Sequence, residues 1–152
     1  MNTISKFKTA EEAVKIVKSG DRIYLHGSAA TPHTLIKALG QRSLELENVE
    51  IVSISTLGEM CLAEPGCGDA FHFNSVFVSQ NIRRAVNNGM GNYIPVFLSE
   101  IPGLFHKKIL PIDVAMINIS PPDRHGFCSL GVSVDVAVAA VKNAKYVIAQ
   151  VN

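Results

Sequence analysis

The sequence contains no tryptophan and only three cysteines, Cys61, Cys67 and Cys128. An odd number of cysteines without CxxC spacing gives neither a disulfide framework nor a zinc site, so we expect free thiols in a reducing compartment. No metal ion is therefore expected.

Charged residues are also scarce, at 18% of the chain, and the formal net charge is only +1. Two short basic pairs, Arg83-Arg84 and Lys107-Lys108, lie apart and are typical of a solvated surface. Without a basic patch, the sequence predicts no nucleic-acid partner and no binding to a charged membrane surface.

Long apolar runs are missing as well. None approaches the roughly 20 residues that a membrane-spanning helix needs. Residues 1–8 also lack the apolar core of a signal peptide. We therefore expect a cytoplasmic protein with no membrane partner.

Apolar residues are nevertheless abundant, at 47% of the 152 residues, which is enough for a packed core. The length suits one domain or part of a larger protein. The sequence ends at Asn152, directly after a predicted strand and without a closing helix or polar tail, which leads us to expect a chain cut from a longer one.

Hydrophobic periodicity predicts strands that alternate with helices. Thr9 and Glu12 have the spacing of a capping box, which predicts the start of the first helix. Pro95 limits residues 93–98 to an edge strand or an extended segment. Helices are predicted at 10–19, 32–40, 81–87, 101–107 and 132–142, and strands at 22–26, 49–54, 73–78, 93–98, 112–119 and 145–151. The alternation predicts an α/β fold with a mainly parallel sheet and helices on both faces.

Three loops that contain glycine, serine or threonine follow predicted strands, at residues 27–32, 55–68 and 120–131. Ligands of parallel sheets bind beyond the carboxyl ends of the strands, where amides and hydroxyls can bind an anion or a carbonyl oxygen. Each loop alone is equally compatible with ordinary turn chemistry, but three loops at one edge favour a pocket. The first loop lacks the GxGxxG and GxxxxGKS/T patterns of nucleotide-binding sites.

The loop at 120–131 contains residues that could also perform chemistry. Asp123 and His125 could form an acid–base pair, or align with Cys128 or Ser129 as a hydrolase site. A structural role is the stronger interpretation, in which Asp123 accepts hydrogen bonds from loop amides and Gly126 supplies a positive φ. The nucleophile-elbow pattern GxSxG is absent.

Other ionisable residues give weaker indications. The carboxylates of Glu59 and Glu64 could act as nucleophiles in acyl transfer, but glutamates in loops are commonly only solvated. The remaining histidines show no metal-ligand spacing and are assigned structural or surface roles: His26, His33, His72 and His106.

Residues 120–135, SPPDRHGFCSLGVSVD, resemble the SPPDxxGxxSxGxSxD signature of the acetyl-CoA hydrolase/transferase family. Residues 83–89, 93–102 and 144–152 are also similar to that family's pattern. The family includes acetate and 4-hydroxybutyrate CoA-transferases, and the pattern is nearest to the latter. The resemblance implies the CoA-transferase/sugar-phosphate isomerase-like superfamily fold. It also implies two α/β halves, with residues 1–152 as the N-terminal domain of the longer enzyme.

The resemblance further implies a ping-pong reaction. A glutamate attacks the acyl-CoA to give an acyl-glutamyl anhydride and free CoA thiolate. The thiolate then forms a glutamyl-CoA thioester, and an incoming carboxylate takes CoA by the reverse route. The family's nucleophilic glutamate lies in the second half, and Glu59, Glu64 and Glu100 do not match it. Coenzyme A is expected as a substrate and not as a permanently bound cofactor, and no catalytic residue is expected in this chain.

An N-terminal half of such an enzyme needs amides and small polar side chains that face the missing C-terminal half. Acyl-CoA and small carboxylic acids such as acetate, butyrate or 4-hydroxybutyrate are the expected ligands. The residues predicted to line this surface are Gly27, Ser28, Ser55, Thr56, Ser120, Pro121, Asp123 and Gly126.

Alone, the chain is expected to be inactive and to form a homo-oligomer through surface that the other half would bury. Two alternatives remain open at this point. One is a thioester hydrolase that acts on acetyl-CoA, and the other is a non-catalytic α/β binding or assembly module.

Overall fold

A computed structural model describes residues 7–152, so the signal-peptide expectation, which concerns residues 1–8, falls largely outside the described residues. The strands are β1 (Arg22–Leu25), β2 (Val49–Val52), β3 (Phe71–Ser75), β4 (Gly91–Tyr93), β5 (Val114–Ile119) and β6 (Tyr146–Val151). They form one sheet in the order β4-β3-β2-β1-β5-β6, and every neighbouring pair is parallel.

The α-helices within residues 7–152 are α1 (Ala10–Ala13), α2 (His33–Gly40), α3 (Gln80–Ala85), α4 (Ile101–His106) and α5 (Ala137–Asn143). Thr9 and Glu12 form the predicted capping box at the start of α1, because each side chain accepts a hydrogen bond from the other residue's backbone amide. In the part of the chain that the structure describes, no helix is both long and apolar enough to cross a membrane.

Each face of the sheet has its own core, because successive strand residues point to opposite faces. Ile23 and Leu25 of β1 pack in the core that includes Leu39 of α2. Tyr24 points to the other face and packs in a second core, where its ring meets Phe105 of α4 edge-on. The predicted α/β class, with a parallel sheet and helices on both faces, is confirmed.

The strand order reverses between β1 and β5. From β1 the chain passes through α2 to β2 on one side, and from β5 it passes through α5 to β6 on the other. At such a switch point the loops after the two central strands diverge, and the crevice between them is the usual ligand site of open α/β sheets.

Three predicted elements differ most from the structure in their bounds. The first helix changes after Ala13 to a 3₁₀ turn at Val14–Ile16. The edge strand ends at Tyr93, before Pro95, which has no amide hydrogen to donate to the sheet. The last helix begins at Ala137 and not at residue 132, because Asp135 has a φ of 48°, which lies outside the right-handed helical region.

Candidate functional site

The carboxyl ends of the strands all lie at one edge of the sheet, called here the carboxyl edge, because all strand pairs are parallel. The three loops predicted to bind a ligand follow β1, β2 and β5, so they all leave the sheet at this edge. The loops after β1 and β5 also flank the switch point.

The loops after β1 and β2 are joined directly. The backbone amide of Ser28 donates a hydrogen bond to the carbonyl oxygen of Ser55, and Ser28 forms an isolated parallel bridge with Thr56. Gly27 allows this approach, because a Cβ at that position would lie 2.8 Å from the oxygen of Ser55. Four of the predicted site residues therefore meet at one junction, called here the β1–β2 junction: Gly27, Ser28, Ser55 and Thr56.

Side-chain hydroxyls hold the β1–β2 junction from the interior. Thr31 Oγ1 donates to the carbonyl oxygen of Ser28 over 2.7 Å and accepts from the amide of Leu57 over 3.2 Å. Thr31 is buried, and so are Thr56 and Ser79. Their hydrogen bonds hold the backbone groups of the β1–β2 junction in fixed positions.

A second set of polar groups extends the β1–β2 junction toward α3. Thr56 Oγ1 and Ser79 Oγ both contact Asn81 Oδ1, at 3.2 and 2.6 Å. The Asn81 amide donates to the carbonyl oxygen of Gly58 over 3.0 Å, so it also fixes the loop after β2. Thr31, Ser79 and Asn81 were not among the predicted site residues, because single polar residues in loops or at the start of a helix have no distinctive pattern.

The loop at 120–131 closes on itself. The amide of Ser120 donates to the carbonyl oxygen of Ser129, and the amide of Ser129 donates to Ser120 Oγ, each over 2.9 Å. Asp123 Oδ1 accepts hydrogen bonds from the amides of His125 and Phe127, at 2.8 and 2.9 Å. Asp123 therefore makes the loop contacts of a structural residue.

Neither the acid–base pair of Asp123 and His125 nor the hydrolase site with Cys128 or Ser129 has the contacts that it needs. Asp123 bonds to the backbone of His125, whereas the ring nitrogen Nε2 of His125 lies 3.0 Å from Arg124 Nε. Ser129 Oγ accepts a hydrogen bond from the amide of Gly131. No hydrogen bond joins an imidazole to Asp123, Cys128 or Ser129 within residues 7–152.

Residues 133–135, at the end of the signature, lie against the switch point. The carbonyl oxygen of Ser133 lies 2.6 Å from His26 Nε2, and a Cβ on Gly27 would lie 3.4 Å from Asp135 Oδ2. His26 and Asp135 are therefore the residues that bring the signature to the β1–β2 junction. Sequence reasoning gave His26 only a structural or surface role and did not select Asp135, although Asp135 ends the signature pattern.

The predicted site residues thus fall into two groups. The β1–β2 junction contains four of them, and the other four lie in the exposed loop after β5: Ser120, Pro121, Asp123 and Gly126. Among the described residues, no hydrogen bond joins the two groups directly, and the contacts of His26 and Asp135 are the connection.

Burial dominates the electrostatics at the switch point. It lowers the pKa of His26, although the Ser133 carbonyl and the charge of Asp135 act in the opposite direction. Burial raises the pKa of Asp135, with partial compensation by a hydrogen bond from the Val136 backbone and by His26. Burial and the charge of Asp135 both raise the pKa of Tyr24, whose buried hydroxyl has no hydrogen-bond partner among residues 7–152.

A cleft of about 600 Å³ lies beside the loop after β2, with Glu59, Glu64, Asn81 and Arg84 among its lining residues. Both glutamates are exposed, and neither makes a side-chain hydrogen bond or ion pair with another residue in the described part of the chain. No group of three or more His, Cys, Asp or Glu within residues 7–152 is placed to hold a metal ion.

Large apolar side chains are exposed in the segments that follow β2, β3, β4 and β5 at the carboxyl edge. Phe97 is 77% exposed and Phe127 is 74% exposed, although such side chains are usually buried. Other exposed members of this set, called here the apolar rim, are Leu57, Phe77, Leu98, Val132 and Val134. Exposed apolar side chains at the same edge as a polar site are typical of a surface that another folded unit covers.

A family model described as the acetyl-CoA hydrolase/transferase N-terminal domain matches residues 3–152. The succinyl-CoA:acetate/propanoyl-CoA:succinate CoA transferase of Fasciola hepatica is 43% identical over 144 residues, which are 93% of this chain and 30% of that protein. The 4-hydroxybutyrate coenzyme A transferase of Clostridium kluyveri is 39% identical over 147 residues, which are 97% of this chain and 34% of that protein. The chain thus spans about a third of the length of these relatives.

Solved structures give the same result for the fold. RipA from Yersinia pestis superposes with a TM-score of 0.89 and 28% identity over 98% of this chain and 37% of that chain. The 4-hydroxybutyrate CoA-transferase (abfT-2) from Porphyromonas gingivalis superposes with a TM-score of 0.78 and 28% identity, over 95% of this chain and 33% of that chain. The CoA-transferase-type fold implied by the signature is confirmed.

Proposed function

Because the chain belongs to the acetyl-CoA hydrolase/transferase family, we propose that it is the N-terminal domain of an enzyme that transfers coenzyme A between an acyl-CoA and a small carboxylate. Acetate, butyrate and 4-hydroxybutyrate are the carboxylates that we propose. The observation that supports this function most directly is the meeting of the β1–β2 junction and the end of the signature at the switch point.

The proposed reaction needs a nucleophilic carboxylate that this chain does not provide. A glutamate outside residues 1–152 attacks the thioester carbon, the C–S bond breaks, and the CoA thiolate leaves. The thiolate then attacks the glutamyl carbonyl of the resulting anhydride and releases the acid, which leaves a glutamyl-CoA thioester. Glu59 and Glu64 are not assigned this role, because they are exposed and have no ion-pair or hydrogen-bond partner within residues 7–152.

This chain contributes the wall of the site that faces the nucleophile. Backbone donors aimed at a developing negative charge stabilise the transition state of acyl transfer, and glycines let the substrate approach the backbone closely. The eight proposed lining residues are Gly27, Ser28, Ser55, Thr56, Ser120, Pro121, Asp123 and Gly126. Asp123 acts through the shape of its loop, because its Oδ1 already accepts two loop amides.

The apolar rim is proposed to bind the second α/β half of the enzyme. Exposed side chains such as Phe97 and Phe127 belong to segments that leave the sheet at the same carboxyl edge as the polar groups, so a folded unit that covers them would also close the site. Closure excludes water, which favours transfer to a carboxylate over hydrolysis. A hydrolase of the same family would differ in leaving water access to the acyl-enzyme.

A titration of the isotope-labelled chain with CoA and acetyl-CoA, followed by NMR, tests the binding surface. We expect the largest amide shifts at Gly27, Ser28 and Thr56, and smaller shifts in the loop at 120–131. Gly103→Ala, whose added methyl group meets no atom within 4 Å, is the matched control and should bind CoA as the unmodified chain does. Shifts confined to the opposite edge of the sheet would contradict the proposed site.

A turnover assay tests where the nucleophile lies. The purified 152-residue chain, mixed with acetyl-CoA and butyrate or 4-hydroxybutyrate, should transfer no CoA. Turnover that is lost on changing Glu59 or Glu64 would place the nucleophile in this chain.

Reading the coding sequence after Asn152 separates the remaining alternatives, because a second α/β half favours the enzyme and a stop codon favours a binding module.

A further inference from the structure

His26 occupies the switch point itself. It directly follows β1, it is fully buried, and its amide donates to the carbonyl oxygen of Met116 in β5 over 3.0 Å. The β1–β5 register ends one residue earlier, at the pair Leu25 and Met116. His26, one residue past β1, therefore remains bonded to β5 before the chain turns at Gly27.

The two ring nitrogens of His26 have different partners, and these partners define the tautomer. The backbone amide of Asn118 donates to Nδ1 over 3.2 Å, so Nδ1 must be unprotonated. Nε2 lies 2.6 Å from the carbonyl oxygen of Ser133, which can only accept, so Nε2 must bear the hydrogen. The ring is thus the neutral Nε2–H form, with both nitrogens hydrogen-bonded.

These two hydrogen bonds join three parts of the site. Asn118 belongs to β5, Ser133 belongs to the end of the signature, and His26 precedes the β1–β2 junction. Two residues after Ser133, Asp135 has a φ of 48° and places its carboxylate against Gly27. A non-glycine residue adopts that backbone conformation only where its surroundings hold it.

We propose that His26 is a positioning residue, which holds residues 133–135 against the end of β1 and so fixes the Asp135 carboxylate beside Gly27 at the switch point. The hydrogen bonds of the His26 ring determine where the end of the signature lies relative to the β1–β2 junction. Only the consequence for substrate binding depends on the proposed function.

The same geometry makes the contact sensitive to acid. A proton on Nδ1 would face the amide hydrogen of Asn118, so protonation of His26 breaks that hydrogen bond. Asp135 is the charged group that acts on the ring, and its charge favours the protonated form, as does the Ser133 carbonyl. Tyr24, two residues earlier on the same face of β1, is the other titratable group of this cluster. Burial outweighs these effects and lowers the pKa of His26, so the neutral ring persists below the ordinary histidine value of about 6.5.

Ring ¹⁵N NMR of the 152-residue chain tests the tautomer without any assay of activity. We expect Nδ1 of His26 to be unprotonated and Nε2 to be protonated, with no titration until the pH is below about 6.5. A ring that titrates at or above that value, or that populates the Nδ1–H form, would overturn the proposal. This outcome would leave the proposed CoA-transferase function untouched.

Two substitutions separate the two hydrogen bonds. His26→Asn keeps an acceptor near the Nδ1 position but cannot reach Ser133, and His26→Gln keeps a donor near Nε2 but removes the acceptor for Asn118. Amide hydrogen exchange should become roughly tenfold faster in His26→Asn at Ala137, whose amide donates to the carbonyl oxygen of Val134, and in His26→Gln at Asn118. His106→Gln, on the exposed end of α4, is the matched control and should change neither.

The effect on the site is read from CoA affinity in the same variants. If the proposed function holds, His26→Asn should weaken CoA binding more than His26→Gln, because it releases Asp135. Unchanged exchange at Ala137 in His26→Asn would refute the positioning role. If amide exchange changes in the His26 variants but CoA affinity does not, the positioning role stands and the proposed CoA site is contradicted.

Discussion

Gly27 lies where the first two loops of the carboxyl edge come closest together. Its Cα faces the carbonyl oxygen of Ser55 and the carboxylate of Asp135, so the position has no room for a methyl group. The close approach, and not a positive φ, is the reason for glycine here, because Gly27 is absent from the positive-φ residues. The absence of a side chain at this position thus allows the two loops to lie this close together.

Gly27→Ala should therefore separate the β1–β2 junction. The new Cβ would lie 2.8 Å from a backbone oxygen that cannot rotate away, so we expect a loss of about 1–3 kcal/mol in the free energy of unfolding. Urea denaturation measures this loss. Gly66→Ala is the matched control, since its methyl group meets no atom within 4 Å, and equal stability losses in both variants would contradict the explanation.

Asp123→Ala should loosen one loop without unfolding the protein. Removal of Oδ1 leaves the amides of His125 and Phe127 to the solvent, and both residues are already exposed. We expect exchange of those two amides to become roughly fivefold faster, with a change in global stability below about 1 kcal/mol. Asp123→Asn keeps an acceptor and should restore part of the protection, and Arg124→Ala should leave it unchanged. A large loss of global stability would show that Asp123 has contacts beyond its loop.

The sequence allowed the role of Asp123 to be predicted, because a turn aspartate followed by a glycine has a recognisable local pattern. His26 could not be assigned in the same way. Its partners, Asn118 and Ser133, lie 92 and 107 residues away along the chain, and local spacing contains no information about them. The candidate site was thus predictable at its loops and not at the residue that joins them.

At the scale of elements, Asp113 joins three strands at the edge of the sheet opposite the candidate site. Its carboxylate accepts a hydrogen bond from the amide of Arg22, where β1 begins, and pairs with Lys145, which precedes β6. Burial acts to raise the pKa of Asp113, but the hydrogen bonds from Lys145 and Arg22 outweigh it and hold that pKa below its ordinary value. The stabilisation is therefore present above about pH 3.9 and is lost as the pH falls through the lowered pKa.

Asp113→Ala should lower the free energy of unfolding by about 1–3 kcal/mol at neutral pH, because the amide of Arg22 loses its acceptor. Asp113→Asn keeps an acceptor for Arg22 without a titratable charge, so it should lose less stability and show a weaker decline in acid. Chemical denaturation across the acid range measures both effects. Asp69→Ala, at an exposed position, is the control, and an unchanged acid decline in Asp113→Asn would rule out this carboxylate as its source.

Elements were predictable from sequence where local chemistry determines them. The capping box of Thr9 and the strand at 112–119 have strong local signals, and both are present in the structure, with β5 starting at Val114. The segment 132–136 has the apolar spacing of a helix but is not helical, because Ser133 is hydrogen-bonded to His26 and Asp135 has a positive φ. Long-range contacts override helical periodicity at that segment.

At the scale of the molecule, two surfaces lack cover within residues 7–152. One is the apolar rim of the carboxyl edge, and the other is β6, one of the two outer strands of the sheet. Val147 and Val151 of β6 are partly exposed, and both line a cleft of about 910 Å³ together with residues of α1 and α2. An unpaired edge strand with apolar side chains is a template for pairing with another chain.

The 152-residue chain should therefore self-associate through β6. Val147→Lys places a charge on the exposed face of the edge strand and should shift the chain toward monomer, since edge lysines oppose strand pairing. Leu44→Lys is the matched control, because Leu44 is 98% exposed in the turn after α2, away from β6, and the change adds the same charge. Sedimentation velocity over a concentration series measures the result. Equal dissociation in both variants would attribute association to net charge, and a monomeric unmodified chain would show that the open edge alone is insufficient for pairing.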